Sequence, residues 1–254
     1  RCSGCLYGWN DTTCPELKTT YKDCMVCNHE PLTRIRVTFS KVTQKLVQEN
    51  KPLGRMYTIM LLRDPVQRMF SFIFFVRSGC PYRGSPEKEE EARRKSIPIN
   101  WLTNRPQAEQ DAVCNGDFES FLRFTPAHNE QADLLVGISY FQPNITEEQC
   151  ETALLRLGEL DAVLLNEEMD DSLRMMYATF KRPTAEFDLL DVNEDKLFVN
   201  NHNRPTVTDP LRDAIRQNDT LIRIIQELNY CDVRVYQRAK EIFEEGKRRL
   251  LGAA

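Results

Sequence analysis

No apolar run in this 254-residue chain approaches the roughly 20 residues that a membrane-spanning helix needs. The longest are Tyr57 to Leu62 and Met69 to Val76, so no membrane anchor is expected within the chain. Positive charge is not in excess either: 34 Lys and Arg stand against 38 Asp and Glu, a net charge of −4. That balance excludes an overall basic field for a nucleic-acid backbone, and any anionic ligand has to be held locally. Internal repeats and low-complexity tracts are missing. Histidine is scarce, with only His29, His128 and His202. The chain starts at Arg1 without a basic-then-apolar leader, and reads as a fragment or processed product. Hydrophobic residues make up 41% of it, enough for a folded core.

The most informative segment is Tyr57 to Val76. Its first six residues are a continuous apolar run, expected as a buried strand that stops at Arg63. Asp64 is placed to cap a helix and Pro65 to occupy its first position. A strand-to-helix corner carrying Arg63 suits a phosphate, since helix N–H groups, helix dipole and guanidinium all favour an anion. Ser71 follows in the second turn of the helix.

Elsewhere, Leu32 to Gln48 has helical apolar spacing, through Leu32, Ile35, Phe39, Val42 and Leu46. Ser78 to Gln110 is polar and charged, with Glu87 to Lys95 expected as a solvated helix turn or a disordered loop; the stretch reads as an insertion, either near an acceptor cleft or simply a surface loop. Phe118 to Phe124 and Asn129 to Gly137 read as short helices, and Thr146 opens another. Leu160 to Leu165 is a second buried strand, entering an acidic helix that Asn166 is placed to cap. Glu167 and Glu168 suit that helix's positive end better than a catalytic pair, because neighbours on a helix point about 100° apart. Two tail helices follow: one capped at Thr208-Asp209-Pro210 with Leu211, Ile215, Leu221, Ile222, Ile225 and Leu228 on one face, and one capped by Asp232. The expected class is α/β, with a mainly parallel sheet flanked by helices.

Nine cysteines and sequons at Asn10, Asn144 and Asn218 lean towards the secretory pathway. Nine is odd, so at least one thiol is free or pairs with another chain. Cys2-x-x-Cys5 and Cys24-x-x-Cys27 also have the spacing of a four-thiolate zinc site, although Cys14 and the Asn10 sequon lie between them. Disulfides and zinc are rival readings of this Cys-rich segment, residues 1–31.

The pattern Arg63-Asp64-Pro65-x-x-Arg68-x-x-Ser71 resembles the 3'-phosphate-binding element of sulfotransferases that use 3'-phosphoadenylyl sulfate. Three further segments resemble the heparan sulfate 2-O-sulfotransferases and galactose-3-O-sulfotransferases of the Golgi. These are Asn129 to Gly137, with its Leu-x-Gly turn; Leu160 to Leu173, with Asn166 where those enzymes have Thr; and Asn229-x-x-Asp232-x-x-Val235-Tyr236, whose expected role is packing. The resemblance implies a P-loop-like sulfotransferase fold over residues 32–254, and a carbohydrate O-sulfotransferase moving a sulfuryl group to a hydroxyl of a glycan or glycolipid. Arg63 and Ser71 would grip the 3'-phosphate of the co-substrate, and no metal would be needed. By position before the phosphate strand, His29 is the candidate general base, with Glu30 and Glu167 next in line. Arg204, beside His202, reads as part of a plain loop, the alternative under the resemblance being a loop that closes over the nucleotide and touches a phosphate.

The Lys-rich loop that holds the 5'-phosphosulfate in that family is not found, and Lys18-Thr19-Thr20 is only a superficial match. A truncated, inactive nucleotide binder is therefore an alternative, as is a zinc-binding interaction module. The resemblance further implies residence in the Golgi lumen with a type II anchor upstream of Arg1, and it favours disulfides over zinc among Cys2, Cys5, Cys14, Cys24 and Cys27.

Overall fold

The structure is a computed structural model that describes residues 58–137, 145–180 and 210–252, apart from 96 and 98. Strands β1 (Ile59–Leu62) and β2 (Ala162–Leu165) pair in parallel, with Ile59 opposite Ala162 and Leu62 opposite Leu165. They are the whole sheet among the described residues, so the architecture is α/β but mostly helical. Asp161 seals the start of the pair, its carboxylate accepting from the Thr58 N–H at 2.8 Å and the Thr58 hydroxyl at 3.1 Å. β2 is buried throughout, as its apolar run predicts. β1 departs from the expected interior strand, because Leu61 is 48% exposed.

Helix α1 (Pro65–Arg77) begins as its sequence predicts: the Asp64 carboxylate accepts from the Gln67 N–H at 2.9 Å and Pro65 takes the first position. Met69, Phe70, Ile73 and Val76 repeat at helical spacing and are fully buried. The stretch expected as an insertion is largely helical, and of the two forms expected for Glu87 to Lys95, a helix turn or a disordered loop, it is the helix that forms. After a 3₁₀ turn at Cys80–Tyr82 come α2 (Pro86–Arg94), α3 (Ile99–Thr103) and α4 (Gln107–Asn115). Ser85 caps α2 and its ends carry the charges a helix favours, with Glu87 and Glu89 first and Arg93 and Arg94 last. A Cys80–Cys114 disulfide ties the stretch to α4.

Helices α5 (Phe118–Phe124), α6 (Glu130–Val136) and α7 (Glu147–Gly158) follow, the last with a capping box between Thr146 and Gln149. Gly137 closes α6 at φ 81°, a left-handed conformation that disfavours any residue with a Cβ. Beyond β2, Asn166–Glu168 form a 3₁₀ turn, and α8 (Met169–Phe180) starts after it. No side-chain cap is made there, contrary to the role expected of Asn166.

The first tail helix is two helices, α9 (Pro210–Arg216) and α10 (Asp219–Leu228), because Asn218 turns its carboxamide to the Leu221 N–H at 3.1 Å and restarts the chain. Helix α11 (Tyr230–Leu251) begins before Asp232, which caps a different helix.

Two cores result. One packs the sheet against α6, α7, α8 and α11, and is stapled by Cys150–Cys231 between α7 and α11. The other packs α1 with α2 to α5, α9 and α10. In the chain-entropy account, closing loops of 34 and 81 residues contributes roughly 4 kcal/mol for each bridge. Neither pairing involves the five cysteines of residues 1–31. Those cysteines, the helix expected at Leu32 to Gln48, and His29, Glu30, His202 and Arg204 lie outside the described residues.

Candidate functional site

Arg63 leaves β1 with its backbone held on both sides by one carboxamide. The Arg63 N–H donates to Gln131 Oε1 at 2.7 Å, and Gln131 Nε2 donates to the Arg63 carbonyl at 2.9 Å. Gln131 thus extends the strand's pairing by one position and anchors α6 to the corner. The Arg63 side chain remains 37% exposed, and its Nε lies 4.0 Å from Glu167 Oε1. Ser71 is seven residues beyond Asp64, close to two full turns, and so on the same side of α1 as the cap. It is half-buried, and its hydroxyl has no hydrogen-bond partner among the described residues.

The first N–H groups of α1 are less open than the sequence suggests. Gln67 N–H is used by Asp64, and Asp64 N–H donates to Glu167 Oε1 at 3.0 Å. Pro65 has no N–H, which leaves that of Val66 without a partner among the described residues. A carboxylate therefore stands where the dipole attracts an anion. Glu167 is itself fixed by the Tyr236 hydroxyl, which donates to Oε2 at 2.9 Å. Burial, reinforced by that bond, pushes the Tyr236 hydroxyl far above its usual value and keeps it a donor. These contacts give Glu167 a structural role at the start of α1, not at the start of its own helix where the dipole argument placed it.

Arg68, the second arginine of the Arg-Asp-Pro segment, binds protein. Nη1 meets Glu130 Oε2 at 2.6 Å; Nη2 reaches Ala127 O at 3.2 Å, Asn229 Oδ1 at 2.9 Å and Asp232 Oδ2 at 3.4 Å. Asp232, fully buried, caps α6 by accepting from Gln131 N–H at 3.3 Å and Ala132 N–H at 2.8 Å. Burial pushes the Asp232 carboxyl up, while Arg68 and the two N–H groups pull it down. The Asn229-x-x-Asp232 pair thus caps α6, while Val235, Tyr236, Ala239 and Phe243 do the expected packing. All four segments of the resemblance meet around Arg63 and Arg68.

Beside this hub, Phe72, Phe75, Trp101, Pro126, Ala127, His128, Glu130 and Asp133 line a cleft of about 90 Å³. His128 is buried with Nε2 donating to Leu122 O at 2.7 Å, and burial holds its pKa below the usual value, so it stays neutral. Asp133 is 5% exposed and its Oδ1 has no hydrogen-bond partner among the described residues. Burial, helped by Asp232 and Glu130 and opposed by Arg68, raises its carboxyl to about 7.

The structure therefore places Arg63 and Ser71 on one strand-helix unit; His29 is outside the described residues. No group of three or more His, Cys, Asp or Glu able to hold a metal occurs among the described residues. Sequence reasoning missed Arg68, Gln131 and the Asn129–Asn229–Asp232 set as one network. The available signal was polar residues inside segments otherwise destined for the core. No family model, curated protein or solved structure matches the chain.

Proposed function

We propose that this chain is a carbohydrate O-sulfotransferase domain of the P-loop-like sulfotransferase fold. In this reading it transfers the sulfuryl group of 3'-phosphoadenylyl sulfate to a glycan or glycolipid hydroxyl in the Golgi lumen. The observation that carries the reading is the assembly of the four resembling segments around one corner, with Arg63 clamped through its backbone and its guanidinium still reaching solvent. Two disulfides suit an oxidising lumen.

Sulfuryl transfer needs an in-line approach and positive charge on the departing phosphate, much as phosphoryl transfer does. Arg63, Ser71 and the Val66 N–H would bind and orient the 3'-phosphate end of the nucleotide. His29 would take the proton from the acceptor hydroxyl.

The test is calorimetric titration of 3',5'-diphosphoadenosine. Losing a charge-assisted contact to a desolvated phosphate costs about 2 to 4 kcal/mol, so Arg63→Ala is expected to weaken binding by roughly 30- to 1000-fold. Equal affinity for both proteins would refute the assignment.

A further inference from the structure

Chance alone supplies about one Asn-x-Ser or Asn-x-Thr sequon in a chain of this length, so Asn218-Asp219-Thr220 carries weight only through its surroundings. In the structure it lies at the junction of α9 and α10, and Asn218, Asp219 and Thr220 are all exposed. Every polar atom of Asn218 but one is used inside the protein. Its N–H donates to Ile215 O at 3.2 Å, its carbonyl accepts from the Ile222 N–H at 3.0 Å, and Oδ1 accepts from the Leu221 N–H at 3.1 Å. Nδ2 is left without a partner among the described residues, and Nδ2 is the atom to which an N-linked glycan is joined.

The helix cap uses the carboxamide oxygen and a glycan uses the nitrogen, so the two demands do not compete. After substitution Oδ1 is still an acceptor for the Leu221 N–H. Space is also present. A cavity of about 340 Å³ opens beside Asn218, lined also by Gly116, Asp117, Glu119 and Ser120 around the start of α5, so a sugar on Nδ2 has room without displacing packed side chains.

We propose that Asn218 is an N-glycosylation site, occupied as the chain passes through the secretory lumen. The donor is a lipid diphosphate-linked oligosaccharide. Nδ2 forms a bond to C1 of its first sugar, the bond from C1 to the diphosphate oxygen breaks, the lipid diphosphate leaves, and one Nδ2 proton is released; nothing is oxidised or reduced. The inference rests on the lumenal residence in the proposed function and not on sulfuryl transfer.

Expression in eukaryotic secretory cells tests it in two forms: the protein with its natural N-terminus, and this chain behind a cleavable signal peptide. Peptide N-glycosidase in heavy-oxygen water converts each occupied asparagine to a labelled aspartate, which peptide mass spectrometry assigns to Asn10, Asn144 or Asn218. Label at Asn218 is expected in most molecules. Thr220→Ser is expected to keep it and Thr220→Ala to abolish it. Asn218→Asp, which caps a helix equally well, is expected to remove the glycan without lowering the yield of secreted protein. The proposal fails if fewer than half of the molecules led by the signal peptide are labelled at Asn218, or if Thr220→Ala leaves the label in place. Label at Asn10 or Asn144 alone sinks this site and leaves the lumenal reading intact. With the natural N-terminus, absence of label at all three sequons sinks the lumenal reading, while label at Asn218 behind the signal peptide leaves the site standing.

Discussion

Asn129 and Asn229, one hundred residues apart, each satisfy the start of the helix that the other precedes. Asn229 Oδ1 accepts from the Asn129 N–H at 3.0 Å, and Asn129 Oδ1 accepts from the Cys231 and Asp232 N–H groups at 3.1 and 3.2 Å. Asn129 also donates through Nδ2 to Leu228 O at 3.1 Å. To do this it adopts φ 51°, a conformation that asparagine tolerates better than most residues. Two positive helix ends are thereby brought together, with the Asp232 carboxylate between them.

Arg68 balances that carboxylate, so its removal leaves a buried charge without a counter-ion. Arg68→Ala is expected to lower the unfolding free energy by about 3 to 5 kcal/mol. The Arg68→Ala/Asp232→Asn pair is expected to lose less than the two single changes added together. Urea denaturation measures both, and a loss below about 1 kcal/mol for Arg68→Ala would remove it from the centre of the network.

Asp133 makes stability depend on pH in the opposite sense to an ordinary ion-paired carboxylate. Its folded value of about 7 lies above the unfolded value of about 3.9, so the folded protein holds the proton more tightly. The contribution of Asp133 to stability is full below about pH 4, falls as pH rises towards 7, and levels off above that. Asp133→Asn is expected to match wild type near pH 4 and exceed it by roughly 2 to 4 kcal/mol at pH 8. Thermal or urea unfolding across that range would show an unchanged slope if the carboxyl is not buried as described.

Glu167 holds its negative charge beside the guanidinium proposed to meet a phosphate. Glu167→Gln keeps an oxygen for the Asp64 N–H and removes the charge. Affinity for 3',5'-diphosphoadenosine is therefore expected to rise roughly 3- to 10-fold at low ionic strength, and by less in high salt. Unchanged affinity in a calorimetric comparison would place the phosphate away from this corner.

The features legible in the sequence are the local ones. Asp64 and Pro65 announce α1 within four residues, Thr146 and Gln149 announce α7, and the runs before Arg63 and Asn166 announce the two strands. What could not be read depends on partners far along the chain. Nothing near Asp232 says that it caps a helix a hundred residues earlier, because its own helix start offers an equally good local use. Asn218 splits the tail helix by the same kind of local competition, here won by the side chain. The polar stretch after Ser78 looked like a loop because its charged residues outnumber its apolar ones, yet Ala92, Ile99 and Leu102 are each fully or almost fully buried. At the corner, the pattern marked Arg63 and Ser71 but gave no hint that Glu167 stands at the same helix start.

The Cys150–Cys231 bridge has a consequence for handling the protein. A single protease cut anywhere between those two cysteines leaves the pieces covalently joined. On a gel run without reductant such a nicked molecule migrates as one species close to the intact chain, and it separates into two bands only after reduction. Integrity judged from mass alone under oxidising conditions therefore overlooks cleavage across 81 residues of the sequence.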